Sequence, residues 1–107
     1  MGLAASTIRL IQLNMERMDL EYKVQLISEA KMNLSRTIND LINVGTDLDP
    51  DSPVVKQLAQ RKERLHLLEK KLDMQMAQYN LRLKMIETEE QSCRQMVDKN
   101  IQRSFRY

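Results

Sequence analysis

Gly45–Thr46–Asp47–Leu48–Asp49–Pro50–Asp51–Ser52–Pro53 holds both prolines and one of the two glycines of a 107-residue chain. On either side the sequence is built from Leu, Met, Gln, Lys, Arg and Glu, all good helix formers. The segment therefore separates two helices. Gly45 is placed to occupy the residue just past a helix end, where a left-handed conformation is usual. Pro50 and Pro53 prevent either helix from running through. Ser52 is a good N-cap, and Pro53 fits the first helical position. Asp49 and Asp51 lie close to the positive N-terminus of the second helix. So short a connection favours antiparallel packing. The expected fold is all-α: one helical hairpin over residues 1–107, with a helix over about 4–44, a turn at 45–52 and a helix over about 53–105.

The first helical segment carries a heptad stripe. Leu13, Leu20, Ile27, Leu34 and Leu41 share one position. Leu10, Val24 and Ile38 share the other seam position with Arg17 and Lys31. Basic side chains there can lay their methylenes over apolar surface but loosen the seam. A second apolar stripe, Ile11, Met15, Met18 and Tyr22, runs along another face. A helix with two stripes has more apolar surface than one partner helix covers.

The second segment repeats the arrangement. Leu58, Leu65, Leu72, Tyr79, Ile86 and Cys93 recur every seven residues. Met76, Leu83 and Val97 follow four positions on, as do the polar Lys62, Glu69 and Glu90. Leu67, Met74 and Leu81 lie on a different face. At 1.5 Å per residue, helices of about 75 Å and about 60 Å are expected. The second should then outrun the first and leave Met96, Ile101 and Phe105 in need of another chain. Thin hairpins bury little, which also argues for assembly into a larger bundle or tube.

Charge is distributed unevenly. Residues 1–44 hold five basic and five acidic side chains, the turn three acids, and residues 54–107 twelve bases and seven acids. The bases alternate with acids and leucines, which fits a solvated helical face and gives no concentrated nucleic-acid surface. Cys93 is the only cysteine and His66 the only histidine, so neither an intrachain disulfide nor zinc is expected. No cofactor is expected either. Glu87, Glu89 and Glu90 spread around a helix and read as a solvated face. No Gly-rich phosphate loop or Ser/His/Asp grouping is present, and no enzyme activity is expected. No apolar run reaches the ~20 residues of a membrane span. Arg9 interrupts the only candidate leader segment, so export would need a non-classical route. The start Met1–Gly2–Leu3–Ala4–Ala5–Ser6 formally matches an N-myristoylation signal, which would make the chain a lipid-anchored coiled coil.

Two segments resemble one family. The loop Asp49–Pro50–Asp51–Ser52–Pro53, followed by Val54–Val55–Lys56–Gln57–Leu58, resembles the Pro-x-x-Pro turn of type III secretion needle subunits. The tail from Met96 to Tyr107, with Val97, Asp98, Lys99, Asn100, Ile101, Gln102, Arg103, Ser104, Phe105 and Arg106 between them, is similar to the polar and aromatic end of those subunits. The opening also resembles that of small, uncharacterised bacterial proteins beginning Met-Gly-Leu-Ala-Ala-Ser. The resemblance covers about a fifth of the chain. The chain is longer than typical needle subunits and its first heptad pattern is stronger, so a flagellar-type rod component or another helical filament stays open.

The resemblance implies a homo-oligomeric filament at the cell surface or outside the cell, reached through an export apparatus or export chaperones. It implies that the second helix faces a lumen, with Lys99, Gln102 and Arg103 toward cargo and Val97, Ile101, Phe105 and Tyr107 on neighbouring subunits. The stripe Ile11, Met15, Met18 and Tyr22 joins that interface set. The alternative is a cytoplasmic coiled-coil export chaperone or adaptor that clasps a partner helix.

Overall fold

In the computed structural model, which describes residues 2–46 and 48–105, two helices account for nearly the whole chain: α1, Leu3–Thr46, and α2, Pro53–Ser104. They pack against each other as an all-α helical hairpin. Gly2 opens α1. Its carbonyl accepts the Ser6 backbone N–H at 3.0 Å and the Ser6 hydroxyl at 3.1 Å.

The end of α1 differs from expectation. The helix continues through Gly45 to Thr46, and no described glycine has a positive φ. Gly45 is therefore an ordinary helical residue. The last turn is closed instead by the Thr46 hydroxyl, which donates to the Asn43 carbonyl at 2.7 Å, and by Leu48 N–H to the Gly45 carbonyl at 3.4 Å. A threonine able to bond back to the preceding turn removes the need for a left-handed cap.

Past Asp47, which lies outside the described residues, the chain makes a second tight turn. Ser52 N–H donates to the Asp49 carbonyl at 3.0 Å, so Asp49 to Ser52 form a β-turn with Pro50 at its favoured second position. The Asp49 carboxylate accepts the Asp51 N–H at 3.2 Å, as Asp commonly does two residues on. Ser52 then caps α2 as expected. Its hydroxyl accepts the Val54 N–H at 3.3 Å, and its carbonyl accepts Val55 at 3.1 Å and Lys56 at 3.4 Å. Pro53 occupies the first helical position, where its missing N–H costs nothing.

Both helices run through two compact units, one made by Met1–Val24 with Gln78–Tyr107, the other by Gln25–Ala77. In the first, Leu13, Leu20, Ile86 and Cys93 form the buried core, with Leu10, Tyr79 and Leu83 packed against it. Leu13 is fully buried. With Leu13 as heptad position d of α1 and Ile86 as position d of α2, every one of these residues falls on a or d, so the seam read from the sequence is the seam of the structure. The helices are antiparallel here, because Arg9 reaches Glu89 at 2.9 Å while Glu16, one heptad later, is reached by Arg82 at 2.9 Å.

The expected overhang of α2 is absent. Asn100 donates to the Ser6 hydroxyl at 3.3 Å, and Ser6 has no exposed surface. The C-terminal turns of α2 therefore lie beside the first turn of α1, and Met96 is half-buried there.

In the second unit, α1 buries Ile27, Leu34 and Ile38, while Leu58, Leu65, Leu72 and Met76 of α2 are half-buried. Lys31 forms an ion pair with Asp73 in this unit. None of the residues that α2 buries falls here; Ile86, Glu90 and Cys93 all belong to the first unit.

Gly45→Ala is expected to stabilise the chain by about 0.5–1 kcal/mol, because a helical glycine gains from Ala and a methyl at Gly45 meets nothing within 4 Å. A loss of stability in urea unfolding would show that a left-handed cap is needed there after all. Ser52→Ala, by contrast, should cost about 0.5–2 kcal/mol. Leu20→Ala should cost about 2–5 kcal/mol, whereas Met18→Ala on the exposed face should stay within about 0.5 kcal/mol.

Candidate assembly interface

A hairpin seam takes one stripe from each helix, and the polar residues interrupting it must find partners. Arg17 and Glu90 occupy a positions of α1 and α2. Glu90 is only 6% exposed, yet it accepts from Arg17 Nε at 2.9 Å. Arg17 also holds Asn14 Oδ1 at 2.6 Å and Glu21 at 3.3 Å, and Arg94 approaches the other Glu90 oxygen at 3.9 Å. This corrects the reading of a solvated run at Glu90 alone, which is sealed in the seam; Glu87 and Glu89 are exposed, with Glu89 paired to Arg9. The hydrogen bond and charge of Glu90 hold the Arg17 guanidinium further toward its protonated form, and Glu89 does the same for Arg9. Among the described residues no buried side-chain nitrogen or oxygen lacks a partner.

With the seam satisfied, the remaining apolar surface stands out. Ile8, Ile11, Met15, Met18 and Tyr22 are all exposed, Met15 by 65%. Their spacing of three, four, three and four residues puts them on positions f and b, the back of α1 away from the seam. Ile8, three residues before Ile11, continues the same spacing and extends the stripe by one residue. On α2, Leu81 and Met85 occupy f and c and are exposed by about two thirds. They border a shallow groove of about 420 Å³ with the Arg9–Glu89 and Glu16–Arg82 pairs.

The charged edges of the two stripes differ. Asp19 and Glu21 flank the α1 stripe, and their own cations, Lys23 at 3.0 Å and Arg17 at 3.3 Å, lie on the seam side of them. Arg82, Lys84 and Glu89 flank the α2 stripe and are exposed, with Arg82 paired to Glu16 and Glu89 to Arg9. Lys23 also stands 6.0 Å from the Tyr79 ring centre. Its ammonium is raised above the ordinary lysine range, first by the Asp19 hydrogen bond and then by the Asp19 charge. That contribution is thus fully present at neutral pH and fades only as alkaline pH rises through the raised value.

The other expected interface residues are scattered. Val97 is half-buried on a seam position, so it serves its own chain. Ile101 is 39% exposed and Phe105 85%, while Tyr107 lies outside the described residues. Lys99, Gln102 and Arg103 are all exposed near the end of α2, and Arg103 lies in its last turn, where a cation suits the helix dipole. In the connection Ser52 and Gly45 are half-buried and Asp49, Pro50, Asp51 and Pro53 exposed. Among the described residues no group of three or more His, Cys, Asp or Glu side chains could hold a metal ion. No described helix is long and apolar enough to cross a membrane.

No protein-family model, curated protein or solved structure matches the chain.

The Arg17–Glu90 pair gives a direct test. Arg17→Met leaves a carboxylate buried without its main partner and should lower the thermal midpoint clearly. Arg17→Met combined with Glu90→Met should recover much of that loss, because a buried pair is costlier to halve than to replace. Circular dichroism melts that showed the two losses simply adding would mean the residues are not coupled.

Proposed function

We propose that this chain is a self-assembling structural subunit of a helical filament. One observation carries the reading: a single unit presents apolar stripes on the backs of both its helices, Ile8, Ile11, Met15, Met18 and Tyr22 on α1 and Leu81 and Met85 on α2. A hairpin that worked alone would gain nothing from apolar residues at these positions. Covering each side chain fully is worth about 1.5–3 kcal/mol, while association costs about 4–15 kcal/mol. One such contact is therefore near balance, and a copy that makes two contacts is favoured over a simple pair. Assembly should accordingly depend steeply on concentration.

The more specific form of the proposal is a needle-like conduit of a type III-type secretion system, exported without a classical signal to the cell surface or beyond. It rests on the resemblance of the Asp49–Pro53 turn and the Met96–Tyr107 tail to needle subunits. In that setting the exposed Lys99, Gln102 and Arg103 would line the lumen.

A second reading is favoured by the regular three-four spacing of the α1 stripe, which suits a single partner helix as well as a second hairpin. On it the chain is a cytoplasmic coiled-coil export chaperone or adaptor.

Electron microscopy of purified protein over a range of concentrations separates the two. Filaments that appear above a threshold, and vanish in Met15→Lys/Met18→Lys while helicity is kept, are the expected result. Discrete monomers or dimers at every concentration would remove the filament proposal and leave the adaptor.

A further inference from the structure

We infer that the outward face of α2 in the second unit lies on the surface of an anionic lipid bilayer. This goes beyond self-assembly and uses none of the residues of the α1 stripe, nor Leu81 or Met85. The face belongs to residues 54–77, where the exposed Leu67, Leu68 and Met74 are set among Lys56, Arg61, Arg64, Lys70 and Lys71.

Two observations lead there. The first is where the charges fall. Leu58, Leu65 and Leu72 hold seam position d, so positions b, f, c and g form a continuous arc of about 140° on the far side of the helix. Along the chain the bases alternate with acids; around the helix they separate. The arc carries the five bases from Lys56 to Lys71 and a single acid, Glu63, all exposed. Glu69 is half-buried on a seam position, and Asp73 is tied to Lys31. Arg9, Arg17, Lys23, Lys31, Arg82 and Arg94 each have an acid within ion-pair reach. Among the described residues none of the five bases on the arc does. Their charge is left for something outside the chain.

The second observation is what stands between the charges. Leu67 is 56% exposed, Leu68 45% and Met74 65%. A nucleic-acid backbone would meet the bases and leave these three in water. A single acidic partner helix would cover one stripe, whereas the bases lie on both flanks of Leu67, with Lys70 on position b and Arg64 and Lys71 on c. A bilayer surface satisfies both groups at once. Apolar side chains enter the boundary between headgroups and acyl chains. Long basic side chains reach back from it to the anionic headgroups, whose surface potential attracts them. The helix then lies along the surface rather than across it, as its composition requires.

Flotation of the intact chain with vesicles tests this, since protein and filaments without lipid stay at the bottom of the gradient. Vesicles of phosphatidylcholine with phosphatidylserine should carry the protein upward, and added salt should release it. Vesicles of phosphatidylcholine alone should leave it behind. Arg64→Gln/Lys71→Gln should weaken binding by about tenfold or more, with helicity unchanged by circular dichroism. Lys99→Gln/Arg103→Gln removes as much charge from the end of α2 and should change binding little; equal losses in the two variants would overturn the inference. The chain has no Trp, so Leu67→Trp reports on this face alone. Its emission should shift to the blue on the mixed vesicles, and flotation without that shift would overturn the apolar contact. Tighter binding to duplex DNA or to polyglutamate than to the vesicles would overturn the lipid surface as the partner. Filament formation is read separately by electron microscopy, so the loss of one property leaves the other standing.

Discussion

Everything in the first unit is organised around a carboxylate that has been taken out of water. Glu90 lies in the seam at 6% exposure, held by Arg17 at 2.9 Å from the opposite helix. A buried ionised group without a partner is strongly unfavourable. Sliding one helix by a heptad would keep leucine against leucine and isoleucine, and apolar packing alone would hardly resist it. The same slide would set Leu10 or Val24 opposite Glu90 in place of Arg17. The ion pair therefore selects one register from several that hydrophobicity permits. The Arg9–Glu89 and Glu16–Arg82 pairs then line up along one edge, and Asn100 comes to rest on Ser6.

Most of this architecture could be read from the chain, and the reasons differ from place to place. Leu13, Leu20, Ile86 and Cys93 were visible because a seven-residue period is a direct image of helix geometry. Ser52 and Pro53 were visible because capping depends on a few local atoms. The pairing of Arg17 with Glu90 was not, although both residues were recognised as polar members of the seam. Deciding that they meet needs the register, and the register follows from three-dimensional packing. The overhang expected of α2 failed for the same reason, since counting residues says nothing about how they are matched. Gly45 misled in another way. Its residue type suits a left-handed cap, but the Thr46 hydroxyl supplied a cheaper ending. Of the candidate interface, the α1 stripe lies on one exposed face as expected. Val97 does not join it, because a seam position is claimed first by the helix already present.

The two ends of the connection also illustrate how local chemistry divides the work. α1 closes with a side chain bonding backward, and α2 opens with a side chain bonding forward. Between them the Asp49–Ser52 turn reverses the chain with Pro50 setting its first angle. None of these groups belongs to the stripes on the backs of the helices. The groups that close the connection and the apolar residues on the backs of the helices are thus chemically separate, and either set can change without dismantling the other.

Cys93 adds an unplanned instrument. It is the only thiol in the chain and lies in the core beside Leu13, Leu20 and Ile86, at 5% exposure. A reagent cannot reach it while the helices of that unit are together. Its rate of labelling is therefore a clock for how often they part, a local opening energy read from one atom without any added probe. Neighbouring copies that pin α1 and α2 in place would slow that clock, so the thiol inside the hairpin registers what happens on its outside.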